Sequence, residues 1–319
     1  MLRPPRLALQ FVLCPLFLLS AGPLMAQPQW GRPMMVGPGE VYTSLADAAR
    51  AAQPGATVRL TPGIYRECAV WTASNLTIQA EPNTARVEGV LCEGRGQFLL
   101  RGDNITIDGV DFAGARGPNP EAAAIHIEGR SATIRRVTFR TTDRGVLALP
   151  RRGSIVRLEN ASFMGGAQVE ARGIERLSIT ASQFVAPLGG PAVRSAAANT
   201  DITFSSIADG SAASHLLVEI AGGNAVVRGN SFRKTMAAPG AATAAIIIAP
   251  QRGAQPGRQI FIANNSISND TAIGITFVRN LSNIPAQVMG NVFSGAPVTE
   301  VEGPAAPFAI PPPRQTNPP

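Results

Sequence analysis

Short stretches in which apolar and polar residues alternate recur along the whole chain. Ile105 and Ile107, and Leu177 and Ile179, are each separated by a polar residue, and Ile260 and Ile262 repeat the spacing around Phe261. That is a period of two, the mark of a half-buried strand rather than a helix. Each stretch ends on a large apolar residue: Phe112, Phe139, Phe163, Phe184, Ile207, Phe232, Ile267 and Phe293. These closing positions recur about every 24 residues, within the range of stacked-repeat architectures. The unit is too short and too rich in β-branched residues for paired helices. It predicts one coil of an all-β parallel β-helix, a single-stranded solenoid of roughly ten coils. A second strand follows in most coils, as in Ala124–Glu128, Val146–Leu149, Gln168–Ala171, Ala192–Ser195 and Leu216–Ile220. Gly and Asn between strands supply the bends.

Two columns are expected from stacking the copies. The closing Phe and Ile residues form a core column. Two residues earlier, Ser182, Ser205, Asn230, Asn265 and Asn291 form a polar one, whose side chains hydrogen-bond from coil to coil and satisfy corner backbone. The pattern changes near the beginning. Ser44 is placed to cap a short helix running through Gln53, with Leu45, Ala48, Ala49 and Ala52 as its apolar stripe. Such a helix would cover the open edge and apolar cross-section of the first coil.

The predicted organisation is a signal peptide over 1–26, an irregular lead-in over 27–40, the β-helix over 41–302 and a Pro-rich disordered tail over 303–319. The signal is read from Arg3 and Arg6, the apolar run Leu7–Leu19 and a cleavage point near Ala26. It implies a bacterial periplasmic or secreted protein. The run is too short and too Pro-interrupted for a membrane span. Cys68 and Cys92 are the cysteines left after its removal, one coil apart. Adjacent parallel strands lie about 4.8 Å apart, within disulfide reach. A disulfide is expected in an oxidising compartment, with two separate buried thiols as the alternative.

Composition refines this only modestly. Hydrophobic residues make up 45% of the chain but aromatics 5%, which suits a core of Val, Ile, Leu, Ala and a Phe column. The 28 Lys and Arg outnumber the 21 Asp and Glu for a net charge of +7, and Lys234 is the sole lysine. A basic exported protein favours acidic glycans or anionic surfaces, although an Arg-rich composition also follows from a GC-rich genome. The basic residues are scattered without interleaved aromatics, which argues against nucleic acid as a partner. No pattern in the chain specifies an oligomeric state.

Tyr42–Glu67 (YTSLADAARAAQPGATVRLTPGIYRE), with the strands Leu76–Ala80 (LTIQA) and Asn104–Phe112 (NITIDGVDF), resembles the capping start of pectin-lyase-like right-handed β-helix proteins. The resemblance runs over roughly Val41–Pro297. It implies the fold, and a superfamily of lyases, hydrolases, epimerases and binding proteins. Lyases of this kind need an Arg or Lys base and often calcium held by several acids. Asp103, Asp108 and Asp111 are close in sequence but fall around a corner, and calcium wants six or more oxygen ligands. Pectin hydrolases carry Asn-Thr-Asp, Asp-Asp and Gly-His-Gly. Asn199-Thr200-Asp201 matches only the first, and reads better as the start of a strand. The two histidines, His126 and His215, are not accompanied by a nucleophile turn or a metal-ligand cluster. No metal or other cofactor is expected.

One constellation remains. Alternation in the second strands points His126 and Glu128 outward from one coil, and Glu170, Arg194 and Glu219 outward from three successive later coils. The last three form an acid–base–acid stripe. It reads either as a salt-bridge ladder that avoids like-charge contacts, or as a grip for an acidic sugar chain through Arg194 with a carboxylate taking a proton. Glu170–Arg172 and the pair Arg151-Arg152 read as ordinary solvated charges. Trp71 is expected to pack under the capping helix rather than stack on sugar, and Trp30 fits either role. The leading functional expectation is an exported, non-catalytic β-helix that binds or organises an envelope or extracellular polysaccharide. The alternatives are a lyase or epimerase acting on an acidic glycan, and a structural or protein-binding solenoid.

Overall fold

The computed structural model describes residues 31–307 apart from 167, 186–189, 211–215 and 236–242. Contacts separate Met1–Arg32 from Pro33–Pro319, and the fold below is that of the second unit. The expected signal peptide, Trp30, His215 and 308–319 lie outside the described residues.

The strands assemble into three parallel sheets. Among the described residues, sheet 1 has 12 strands and sheets 2 and 3 have 10 each. One coil visits them in order, as in Ile105–Asp108 (sheet 1), Val110–Ala113 (sheet 2) and Ala123–Ile127 (sheet 3), before Ser131–Arg135 returns to sheet 1. Each strand pairs with the equivalent strand of the next coil, for example Ala132 with Val156 and Val156 with Leu177. The result is a parallel β-helix of about ten coils, as the periodicity predicts.

Inward positions stack on one another. Phe112, Phe139, Phe163 and Phe184 are in register on sheet 2 and fully buried. Their rings lie 5.6, 4.7 and 4.4 Å apart, with interplanar angles of 15°, 15° and 3°. The polar column forms the expected ladder. Ser182 N–H donates to Ser205 Oγ (3.1 Å), Ser205 N–H to Asn230 Oδ1 (2.9 Å), Asn230 N–H to Asn265 Oδ1 (3.0 Å) and Asn265 N–H to Asn291 Oδ1 (3.1 Å). The amides also bond to each other, Asn230 Nδ2 to Asn265 Oδ1 and Asn265 Nδ2 to Asn291 Oδ1, both at 3.0 Å.

The bend between sheets 1 and 2 requires a left-handed residue. Asn160 and Asn264 provide it at φ 51° and 53°, as the turn chemistry predicts. Arg136, Ala181 and Phe204 do so as well, at 54°, 49° and 51°, where L-residues pay about 1–2 kcal/mol of local strain. Stacking on both sides overrides that preference.

The helix spans Leu45–Ala51, two residues shorter than predicted, with Ser44 Oγ accepting from Asp47 N–H at 3.1 Å. It packs on the strand Ala69–Trp71. Trp71 is fully buried, edge-on to Phe98 at 5.5 Å. Cys68 and Cys92 are disulfide-bonded with Cα atoms 5.4 Å apart, joining the sheet 2–3 corners of neighbouring coils. At both ends the ladder reaches into stretches expected to be irregular. Met34–Val36 pairs with Thr57–Leu60, and Ala305–Pro307 pairs with Ala286–Met289. No helix among the described residues is long and apolar enough to cross a membrane.

The Phe column gives a direct test. Phe163→Ala or Phe184→Ala should destabilise the protein by about 3–5 kcal/mol, read from denaturant unfolding. An unchanged midpoint in both variants would place the column outside the core.

Candidate functional site

The outward positions of sheet 3 form a single column in register: Leu99, His126, Leu147, Glu170, Arg194, Glu219, Ile247, Arg279 and Glu302. Glu170, Arg194 and Glu219 therefore occupy consecutive coils, and His126 lies two coils before Glu170. Their partners split the stripe. Arg194 Nε donates to Glu219 Oε2 at 2.8 Å. Glu170 turns away from Arg194 and is held by Arg144 Nε (2.6 Å) and Arg172 Nε (2.7 Å). Arg172 also reaches Glu121 at 2.8 Å, and Arg144 Nη1 donates to the Pro120 carbonyl at 2.6 Å. The segment Glu170–Arg172 is thus a half-buried clasp rather than a pair of solvated charges.

His126 does not reach solvent. Its relative exposure is 0%, and neither ring nitrogen has a hydrogen-bond partner among the described residues. Glu128 Oε1 is 3.7 Å from Nδ1. That carboxylate is engaged by Arg95 at 2.8 Å and Arg101 at 2.9 Å, and Arg101 in turn binds Glu93 at 2.7 Å. His126 faces outward as alternation requires, yet Leu99 and Leu147 on either side and the charged lattice above seal it in. Glu93 and Arg95 come from a loop between sheets 2 and 3, which the repeat does not specify, while Arg101 and Glu128 directly follow sheet 3 strands.

Burial sets the chemistry of these groups. It lowers the His126 pKa, with the nearby Glu128 opposing but not reversing the effect. For Glu170 burial alone would raise the pKa, but hydrogen bonds from Arg172 and Arg144 outweigh it and hold the carboxyl below its usual range. At neutral pH the face carries a neutral His126 and an ionised, arginine-bound Glu170.

The other candidate acids are structural. Asp108 binds Arg135 at 2.9 Å and Arg136 at 2.7 Å. Asp103 binds Arg130 at 2.7 Å, and Asp111 accepts from Thr138 N–H at 3.0 Å. Among the described residues no group of three or more His, Cys, Asp or Glu is placed to hold a metal. Asn199-Thr200-Asp201 lies on a sheet 1 strand, with Thr200 turned inward to Ser195 at 2.7 Å and Asp201 paired with Arg176.

Sequence reasoning places the column but misses the clasp. Arg144 sits at a β-bulge before Val146, which breaks the period-two count. Arg172 shares the parity of Glu170 and was accessible to the same argument.

The buried imidazole makes a pH prediction. The unfolded chain takes up a proton at His126 from about pH 6.5 downward, while the native state resists it, so stability falls with pH through that window. His126→Leu should raise stability at pH 7 by about 1 kcal/mol, since unsatisfied buried nitrogens are removed. It should also flatten the melting temperature as pH drops below about 6.5. A melting curve that keeps its slope would show that His126 is not the titrating group. Glu170→Gln should lower stability at pH 7, and the deficit should close as pH drops through the depressed pKa of the native carboxyl, because both states of the wild type are then protonated.

No protein-family model and no curated protein sequence matches the chain. Solved structures do. The PL6 family alginate lyase AlyGC superposes with a TM-score of 0.52 at 18% identity, over 79% of this chain and 38% of that one. This chain therefore spans well under half of that enzyme. The pectin methylesterase from Aspergillus niger superposes with a TM-score of 0.50 at 13% identity, over 86% of this chain and 91% of the other. At these identities the likeness is one of architecture: the protein has a right-handed parallel β-helix fold.

Proposed function

We propose that this is an exported β-helix protein that binds an acidic polysaccharide along its outer surface without cleaving it. The observation that carries the reading is the state of the sheet 3 carboxylates. Glu170 and Glu128 are each bound by two arginines, and Glu219 by Arg194. Glu170, whose two guanidinium partners hold its carboxyl below the usual range, is a weak proton acceptor, and His126 is sealed from any substrate. The face is suited to gripping rather than to acid–base work. Arg194 uses only its Nε on Glu219, and its side chain is 45% exposed, so further donors face solvent. A guanidinium so placed can take a carboxylate in bidentate fashion. The coil spacing of about 4.8 Å is close to the length of one sugar residue in an extended chain. Export is supported by the reading of residues 1–26 and by the disulfide, which suits an oxidising compartment.

Alginate and polygalacturonate are the first probes, with neutral dextran as the contrast. The mature chain should bind the uronate polymers, and binding should weaken as salt rises. Arg194→Ala should reduce affinity several-fold while leaving the unfolding free energy within about 1 kcal/mol of wild type. Appearance of new chain ends in either polymer on prolonged incubation would replace binding with a lyase or hydrolase reading.

A further inference from the structure

The arginines of sheet 3 are nearly all paired, and so are Arg101, Arg130 and Arg172 at the corner between sheets 3 and 1, but Arg151 and Arg152 at the same corner make no ion pair among the described residues. Pro150-Arg151-Arg152-Gly153 and Pro250-Gln251-Arg252-Gly253 are two copies of one turn. In both, a backbone N–H closes back on the second residue: Ser154 to Arg151 and Ala254 to Gln251, each at 3.0 Å. Both turns stand exposed. Arg151 donates to the Glu128 carbonyl at 3.3 Å, and among the described residues Arg152 makes no ion pair. The second turn folds back over the corner of the preceding coil, where Gly223 N–H donates to the Gln255 carbonyl at 2.8 Å. A Cβ at Gly222 would lie 2.6 Å from Ala254 Cβ, so the close approach needs glycine there.

The first turn separates two depressions that share Gly153. One of about 300 Å³ has Arg151, Arg152, Glu175 and Gln255 on its walls, over Ile174 and Ala198. The other, about 450 Å³, holds Ser74, Asn75, Asp103, Asn104 and Arg130. Together they follow the corner over six successive coils, from Asn75 to Ala198, about 24 Å at the coil spacing. The second basin is stepped with amides, Asn104 Nδ2 donating to Asn75 Oδ1 at 2.9 Å.

We propose that this corner groove is the principal binding site for a uronate polysaccharide, lying parallel to the solenoid axis and anchored by Arg151 and Arg152. This rests on the polysaccharide-binding reading above and moves its centre from the face of sheet 3 to the corner. The chemistry fits a sugar acid. The two guanidinium groups take a carboxylate. Glu175 and Gln255 accept from and donate to ring hydroxyls, and the amide steps do the same beyond the turn. The apolar floor of Ile174 and Ala198 meets the C–H face of a sugar ring.

The test is binding of the mature protein to alginate and polygalacturonate, comparing wild type with the double variant R151A/R152A, with Arg194→Ala and with Arg59→Ala. Arg59 is an exposed cation on sheet 1, remote in sequence from both turns. The double variant should lose at least tenfold in affinity, more than Arg194→Ala, with its melting temperature and circular dichroism intact. Arg59→Ala should bind as wild type does. Wild-type affinity in the double variant, with Arg194→Ala impaired, overturns the corner site and leaves the face as the binding surface. An equal loss in Arg59→Ala overturns it too, since net charge alone would then account for binding. Failure of the wild type to bind either polymer overturns both readings.

Discussion

Everything in this molecule hangs on the parallel hydrogen-bond ladder that joins each coil to the next in register. A coil alone cannot satisfy its backbone or bury its apolar face. Once coils stack, every position sits directly above its counterpart, so each column must tolerate itself. Phe does so by offset stacking, which explains the near-parallel rings of Phe139, Phe163 and Phe184. Asn does so because one amide both donates and accepts, so Asn230, Asn265 and Asn291 link into a chain. Like charges cannot. The outward column of sheet 3 therefore alternates sign where it can, as at Arg194–Glu219 and Arg279–Glu302, or recruits lateral partners, as Arg144 and Arg172 do for Glu170.

The same constraint separates two unusual buried groups. Lys234 points inward two residues after Phe232, and it is fully buried. Asp209 answers it at 2.7 Å, and Thr235 donates to the other carboxylate oxygen from both its N–H and its hydroxyl at 2.8 Å. This is a paired, bonded charge of the kind interiors accept. His126 is buried just as completely, but its nitrogens are unpartnered among the described residues. It occupies a place that Leu99 and Leu147 fill on the adjacent coils. The neutral ring is tolerated as a flat, mostly apolar body, at the cost of acid sensitivity.

Period and parity carried most of the architecture into the sequence. The Phe column, the amide ladder, the one-coil spacing of Cys68 and Cys92 and the coil order of Glu170, Arg194 and Glu219 follow from counting residues, and the Ser44 cap from its side-chain chemistry. What the count could not reach lies off the lattice. Arg144 is displaced by a bulge, Glu93, Arg95 and Glu121 come from loops of irregular length, and the burial of His126 depends on those loops closing over it. Local preference also failed where stacking was stronger. Phe204 holds a left-handed bend with its ring exposed, and Gly229 on the next coil makes the room, since a Cβ there would fall 2.9 Å from that ring.

This division of labour bears on where a β-helix can carry function. Strand positions are constrained from above and below, so a new side chain on a face must suit two neighbours as well as a ligand. A corner is constrained only at the two points where it rejoins the ladder, and its length can change from coil to coil at little cost. The turn at Pro150–Gly153 stands out from the coils around it, and that difference creates walls on an otherwise uniform edge. Arginines on such a turn need no partner from an adjacent coil, which leaves their charge available to a polymer. In the binding site proposed above, the sheet 3 face, where nearly every guanidinium is already matched, would supply stability and a flank, while the unpaired Arg151 and Arg152 at the corner would supply the attraction.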